Sequence, residues 1–314
     1  MNTPRPAHPA GGSLATMAPT DRPFGALLTA MVTPMRADGS VDLEAGAALA
    51  RHLVDHGHDG IVLNGTTGEA PTTHAPEKMA LVGAVVEEVG DRALVIAGAG
   101  SNDTAHAVRM AQQAAAAGAH GLLVVTPYYS RPSQEGVYRH TAAVADSTDL
   151  PVMLYDVPGR TGVRYYLATL ERLAQHPRVV AVKDATGDVG GALTAIERTG
   201  LAWYSGDDAL VLPFLSVGAV GLVSMAAHLV GDGFAAVIRA FDAGDHAGAL
   251  AAYREIAPVV DIICGSGNGA LRSKLALTLL GLIPDAAMRL PQVPADEAET
   301  AEVRAALVAA GLLT

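Results

Sequence analysis

The feature that most constrains this chain begins at Gly25, where short, uninterrupted apolar runs start to alternate with longer amphipathic stretches. The apolar runs are Ala26–Val32, Gly60–Leu63, Ala93–Ala97, Gly121–Val125, Val152–Tyr155, Val179–Val182, Ala202–Tyr204 and Val220–Ser224. Runs of about four to seven residues without polar alternation suit strands buried on both faces, as in a parallel sheet. Helical patterns fall between them, for example at Asp42–His56, Pro76–Val89, Asp103–Ala117 and Ser133–Ala145, with Pro76 suited to the first helical position and Asp103 to an N-cap. Eight strands, each followed by a helix, predict an α/β chain folded as a (β/α)8 barrel. A doubly wound open sheet is the competing arrangement, and the count of eight favours closure. After Gly231 only helical patterns remain, at Phe234–Phe241, Ala247–Val260, Ala270–Gly281 and Glu297–Ala310, the last with Asp296 as N-cap. The expected organisation is a disordered tail over 1–24, the barrel over 25–230, and the last barrel helix with a small helical C-terminal region over 231–314.

Composition narrows the function classes. A chain of 314 residues, half of them hydrophobic, can bury a barrel-sized core. A net charge of -11 argues against a nucleic-acid or anionic-membrane partner, either of which favours a basic face. The single cysteine, Cys264, excludes an internal disulfide framework and a cysteine-based zinc cluster, fits a reducing cytoplasm, and is expected to be a free buried thiol. The Pro-, Ala-, Gly- and Thr-rich start lacks both an apolar and a basic signal-peptide segment, and Met17 is an alternative start. The uncharged stretch Leu210–Val230 is broken by Pro213, Gly218 and Gly221, so it reads as a buried helix followed by a strand rather than a membrane span.

In a barrel of this kind the active site is built at the C-terminal ends of the strands. No His, Asp and Glu set there has metal-ligand spacing, and His56 and His58 fall at a helix end on the opposite rim, where a solvated or structural role is expected. Lysine usage is the sharpest clue, because the chain has only Lys78, Lys183 and Lys274 while arginine is plentiful. Lys78 is expected on the polar side of a helix and Lys274 in the C-terminal helices, where lysine is ordinary. Lys183 closes the strand Val179–Val182. Burial disfavours an ammonium and moves its pKa from about 10.4 toward 7–8, which frees a neutral amine to attack a ketone. The alternative is a structural pairing of Lys183 with Asp156 or Asp184. The loop Gly65-Thr66-Thr67-Gly68-Glu69 could cradle a small carboxylate or be a plain turn. Tyr155 could shuttle protons and Arg160 could clamp a second carboxylate, or each could be structural. Two glycine-rich stretches, Gly98–Asp103 and Gly265–Gly269, lack the context of a dinucleotide site.

Taken together, GTTGE (65–69), VTPYYSRPSQEG (125–136), YDVPGRTG (155–162), VKDATG (182–187) and SGDD (205–208) closely resemble the dihydrodipicolinate synthase family of pyruvate-dependent class I aldolases, over about Phe24 to Leu313. The resemblance implies condensation of pyruvate with L-aspartate-4-semialdehyde, the 4-hydroxy-tetrahydrodipicolinate synthase reaction of the diaminopimelate route to lysine, with no metal or organic cofactor. It implies that Lys183 forms the imine and Tyr155 moves protons. Thr66 would relay protons between Tyr155 and a Tyr129 reaching in from a neighbouring subunit. Thr67 would hold the pyruvate carboxylate and Arg160 that of the semialdehyde, while Gly206 and Val223 would offer main-chain carbonyls near the imine. Val223 stands where isoleucine is common. A homotetramer of two tight dimers is implied as well.

Departures from the family pattern fall in the pocket that binds lysine in feedback-inhibited members, where Ala75, Lys78 and His106 replace two histidines and a glutamate while Asn102 and Tyr128 match. Weak or absent lysine inhibition is therefore expected. The rival readings are a sister lyase, such as N-acetylneuraminate lyase or a sugar-acid aldolase, and a catalytically inactive barrel serving as a binding protein. Arg160 and Tyr129 argue against the first, and the filled catalytic positions against the second.

Overall fold

A computed structural model describes residues 22–265 and 267–314. Eight parallel strands close in sequence order into a barrel: β1 (Leu27–Ala30), β2 (Gly60–Leu63), β3 (Leu94–Gly98), β4 (Gly121–Val125), β5 (Val152–Asp156), β6 (Val179–Asp184), β7 (Ala202–Ser205) and β8 (Gly221–Ser224), with β8 pairing back onto β1. The predicted (β/α)8 fold and its helical C-terminal region are both present. Every strand sits where an apolar run does, because residues alternate between two buried environments. In β5, Val152 and Leu154 face the layer between barrel and helices, while Met153 and Tyr155 fill the barrel interior.

One irregularity sets the phase of the active strand. β5 and β6 pair Val152 with Val179 but Met153 with Ala181, so Val180 is an extra residue, a β-bulge. Val180 and Ala181 both pack toward the barrel interior, and alternation resumes with Val182 outward and Lys183 inward. Above the bulge, Tyr155 lies opposite Lys183 and Asp156 opposite Asp184.

Helix starts follow local chemistry. Asp42, Asp103, Ser133, Asp188, Asp245, Asn268 and Asp296 each cap a helix by accepting a backbone N–H with the side chain. The helix Ala75–Val89 begins one residue before Pro76, with His74 as N-cap, so the proline takes the second helical position instead of the first. The stretch read as a buried helix and a strand resolves into Val211–Ser216 and β8.

Two expected boundaries move. The helix predicted at Phe234–Phe241 spans Ala227–Asp242 and so straddles residue 230, with a kink at Val230. Residues 1–21 of the expected tail lie outside the described residues, but Arg22 to Phe24 belong to the fold. Phe24 is buried in the barrel interior, and Arg22 forms a two-pronged pair with Asp242 at 2.8 Å. Beyond the barrel, helices His246–Cys264, Gly269–Leu279 and Glu297–Ala309 form a second apolar cluster with the Ala227–Asp242 helix. Among the described residues no helix is long and apolar enough to cross a membrane.

Candidate active site

A cavity of about 640 Å³ opens at the C-terminal ends of the strands. Of the residues singled out from sequence, Thr66, Thr67, Tyr155, Arg160, Lys183, Gly206 and Val223 all line it. Tyr129 does not. It lines an adjoining cavity of about 770 Å³, is 89% exposed and holds a left-handed φ of 73°.

Lys183 and Tyr155 meet because the bulge puts both on the inner face of paired positions, with the Lys183 Nζ 4.5 Å from the Tyr155 ring centre. Burial pushes the Lys183 ammonium down to about 8, nearby Asp208 works against that shift, and Arg160 adds to it. A partly neutral amine at physiological pH is the form that can attack a carbonyl. Burial raises the Tyr155 phenol, while Arg160 and a hydrogen bond with Thr66 oppose the rise.

The structural alternative for Lys183 fails on phase. Asp156 and Asp184 alternate to the outer side of the sheet, where Asp184 accepts from the Trp203 indole at 2.9 Å and from Thr186 N at 2.8 Å, and Asp156 accepts from Tyr165 N at 3.2 Å. Burial and the neighbouring Asp184 push Asp156 up to about 7. The carboxylate that faces Lys183 is Asp208, which the sequence reading did not single out. It is buried and accepts from Met225 N, Ala226 N at 3.0 Å and the Ser224 hydroxyl. Nothing in the doublet Asp207-Asp208 told which carboxylate turns inward; Asp207 caps the following 3₁₀ turn and Asp208 is the buried one.

The threonine loop is held from a distance. Glu69, at a left-handed φ of 56°, accepts from the fully buried Lys274 ammonium and from Arg289 N at 3.1 Å, and Arg289 in turn grips Glu77. Lys274 is thus not an ordinary helical lysine but the anchor of the loop that carries Thr66 and Thr67. Lys78 is likewise not on a polar face: it is 6% exposed, in the same stripe as Leu81, Val82 and Val85. That 3.6-residue phase was readable in the sequence. Gly206 is required where it stands, since an added Cβ would meet the Lys183 side chain and the Asp184 carbonyl at 3.0 Å.

Cys264 also lines the cavity and is only partly buried, which corrects the expectation of a fully buried thiol; burial and Asp208 raise its pKa. His58 is structural, as read: its ring bonds Leu53 O at 2.6 Å and the Thr29 hydroxyl at 2.7 Å. His56 pairs with Asp232 at the surface.

Comparison with known proteins bears on what this geometry serves. The dihydrodipicolinate synthetase family profile matches residues 23–310. A 4-hydroxy-tetrahydrodipicolinate synthase of Kineococcus radiotolerans is 52% identical over 298 residues, which is 95% of this chain and 97% of that protein. The 4-hydroxy-tetrahydrodipicolinate synthase 2 of Streptomyces coelicolor is 53% identical over 94% of this chain and 99% of its own. Among solved structures, a dihydrodipicolinate synthase of Bacillus anthracis is 41% identical and superposes with a TM-score of 0.87, covering 91% of this chain and 98% of its own. The enzyme of Cyanidioschyzon merolae, solved with lysine bound, is 38% identical with a TM-score of 0.89, covering 92% and 99%.

Proposed function

This chain belongs to the dihydrodipicolinate synthetase family, and from that premise we propose that Lys183 is the residue on which its reaction is built. The activity is that of a lyase, a 4-hydroxy-tetrahydrodipicolinate synthase, rather than of a sugar-acid aldolase or an inactive barrel. Its substrates are pyruvate and L-aspartate-4-semialdehyde. The observation that carries the role of Lys183 is its position: a buried amine with a lowered pKa, beside a tyrosine, in a cavity walled by Thr67 and Arg160.

In this reading the neutral Lys183 Nζ attacks the pyruvate carbonyl carbon, and the resulting carbinolamine loses water to give a protonated imine. That cation withdraws electrons from the adjacent methyl group, which loses a proton to form an enamine. The enamine carbon then attacks the aldehyde carbon of the second substrate, and the new alkoxide takes a proton. Tyr155, bonded to Thr66, is the group placed to move protons at these steps. Thr67 and neighbouring backbone amides hold the pyruvate carboxylate, and Arg160 at the cavity mouth clamps the second. The Gly206 and Val223 main chain completes the wall around the imine. The amino group of the second substrate then attacks the pyruvate-derived imine carbon, closing the ring, and the Lys183 nitrogen leaves as the free amine, which releases the product.

The same reading assigns Tyr129 to the site of a neighbouring subunit within a homotetramer of two tight dimers. What supports this is an aromatic side chain left 89% exposed beside the catalytic cavity, on a backbone held in the left-handed region. It also keeps the enzyme in a reducing, cytoplasmic setting, which the free thiol of Cys264 favours.

Borohydride reduction in the presence of pyruvate tests the nucleophile. Mass spectrometry should find the pyruvate-derived adduct on Lys183, and Lys183→Ala should abolish both the adduct and semialdehyde consumption. An adduct at another lysine, or turnover in the alanine variant, overturns the assignment.

A further inference from the structure

Among the described residues, the charged side chains that line the catalytic cavity are Glu69, Arg160, Lys183, Asp207 and Asp208. Three of them are committed. Lys183 is the nucleophile, and Glu69 is held by Lys274 and by Arg289 N. Asp208, 3% exposed, spends both oxygens inside the fold, on the Ser224 hydroxyl, Met225 N and Ala226 N. The two that remain carry opposite charges. The Arg160 guanidinium has no hydrogen bond or ion pair among the described residues. Asp207 uses Oδ1 to cap the 3₁₀ turn, accepting from Ala209 N at 3.0 Å, and its Oδ2 has no partner among the described residues.

The second substrate brings a matching pair of charges. Its carboxylate goes to Arg160, but its α-amino group is an ammonium at neutral pH, and none of the committed groups is free to receive it. Asp207 is partly exposed, as a carboxylate that a ligand must reach and leave has to be. Its turn is fixed: the Ser205 hydroxyl donates to Asp207 O at 2.7 Å and accepts from Asp207 N at 3.2 Å, and Gly206 N donates to Asp184 O at 2.7 Å. That turn also lies against the nucleophile, since a Cβ on Gly206 would meet the Lys183 Cγ at 3.0 Å. An ammonium held by Asp207 is therefore kept on the side of the lysine, where its nitrogen is needed at ring closure.

We propose that Asp207 determines specificity for the second substrate, its Oδ2 receiving the α-ammonium while Arg160 takes the carboxylate. The inference rests on the aldolase reading above and names the group that reads the amine. Three of the four substituents on the α-carbon are then fixed: the carboxylate, the ammonium and the arm whose aldehyde the enamine attacks. Three fixed substituents define the hand of that carbon, so the L-form is selected. An aldehyde without the amine gains nothing from Asp207.

Steady-state kinetics of the full-length enzyme at neutral pH, with succinate semialdehyde as an inhibitor that lacks the amine, test the proposal. Asp207→Asn keeps an oxygen for the Ala209 cap and removes the charge. Its KM for L-aspartate-4-semialdehyde should rise about tenfold, while the KM for pyruvate and the inhibition constant of succinate semialdehyde stay within about threefold of the wild type. Asp207→Ser, which also caps, should behave as the asparagine variant does, and both should form the borohydride-reduced pyruvate adduct on Lys183. A KM for the amino-aldehyde within about threefold of the wild type in both variants overturns the role of Asp207 and leaves the reaction standing. Parallel weakening of succinate semialdehyde, or loss of the adduct in both variants, does the same, because Asp207 is then a support of the site. A wild type that forms no adduct overturns the aldolase reading and this inference together.

Discussion

Severing Glu69 from Lys274 should cost far more than a surface ion pair. The Lys274 side chain is fully buried and that of Glu69 is 4% exposed. Removing either one strands a charge in the interior, a loss of about 3–5 kcal/mol. Glu69→Ala is the worse of the two. It leaves Lys274 with Ala287 O alone, at 2.7 Å, and removes the acceptor of Arg289 N. Lys274→Met leaves Glu69 with one donor, Arg289 N. Burial already holds the Lys274 ammonium below its usual pKa despite Glu69, so part of the loss in Glu69→Ala is relieved by deprotonation. The double variant Glu69→Ala, Lys274→Met has no buried charge and should regain much of the deficit, with a coupling energy of about 1–3 kcal/mol. Urea unfolding followed by circular dichroism at neutral pH measures the cycle. The same variants loosen the loop carrying Thr66 and Thr67, so the KM for pyruvate should rise more than kcat falls. Single variants that cost under about 1 kcal/mol, or a coupling near zero, would refute the reasoning.

Three further outcomes follow from the geometry. L-Lysine should inhibit weakly, at about millimolar or above, because Lys78 and His106 line the pocket that would receive its cationic amine; a micromolar inhibition constant contradicts this. With Lys183 at about 8, the neutral amine is depleted about tenfold per pH unit below that value, so kcat/KM for pyruvate should climb with pH and level off above 8; Asp208→Asn, which removes the charge that raises Lys183, should move the inflection lower, and an unmoved profile counts against that role. Asp156 is raised to about 7 in the folded state, so the fold binds a proton that the unfolded chain releases near 4, and stability should decline as pH rises from about 4 to 7; Asp156→Asn should flatten that decline and be the more stable protein at pH 8, read from thermal unfolding across pH.

Most of the architecture was legible because a parallel barrel writes itself as eight apolar runs, and each run did become a strand. The lysine at a strand end stood out because a charged residue closing such a run is rare enough to need a reason. What stayed hidden was long-range. Lys274 and Glu69 are 205 residues apart, and nothing near either one announces the other. Lys78 differs for a simpler cause: its residue type suggests a polar face, whereas its helical phase sets 78, 81, 82 and 85 on one buried stripe. Asp208 was hidden by its neighbour, since only the backbone turn after β7 decides which of the two carboxylates is buried beside Lys183.

The bulge at Val180 acts as a correction of reading frame within β6. Below it, Val179 faces outward; with strict alternation from there, Lys183 would face the helices and Asp184 would enter the cavity. The extra residue cancels that error, so the nucleophile depends on a parity and not on a contact. Length changes in this strand should then be read by parity, and an insertion and a deletion do not cancel as they do in a coding frame. Inserting one residue between Ala181 and Lys183 should abolish imine formation, and deleting Val180 in the same chain should restore Lys183 to neither its phase nor its partner. Deleting Val180 alone, which removes the extra inward residue and leaves Ala181 in step with Val179, should keep Lys183 opposite Tyr155. The tolerated edit is the one at the bulge itself.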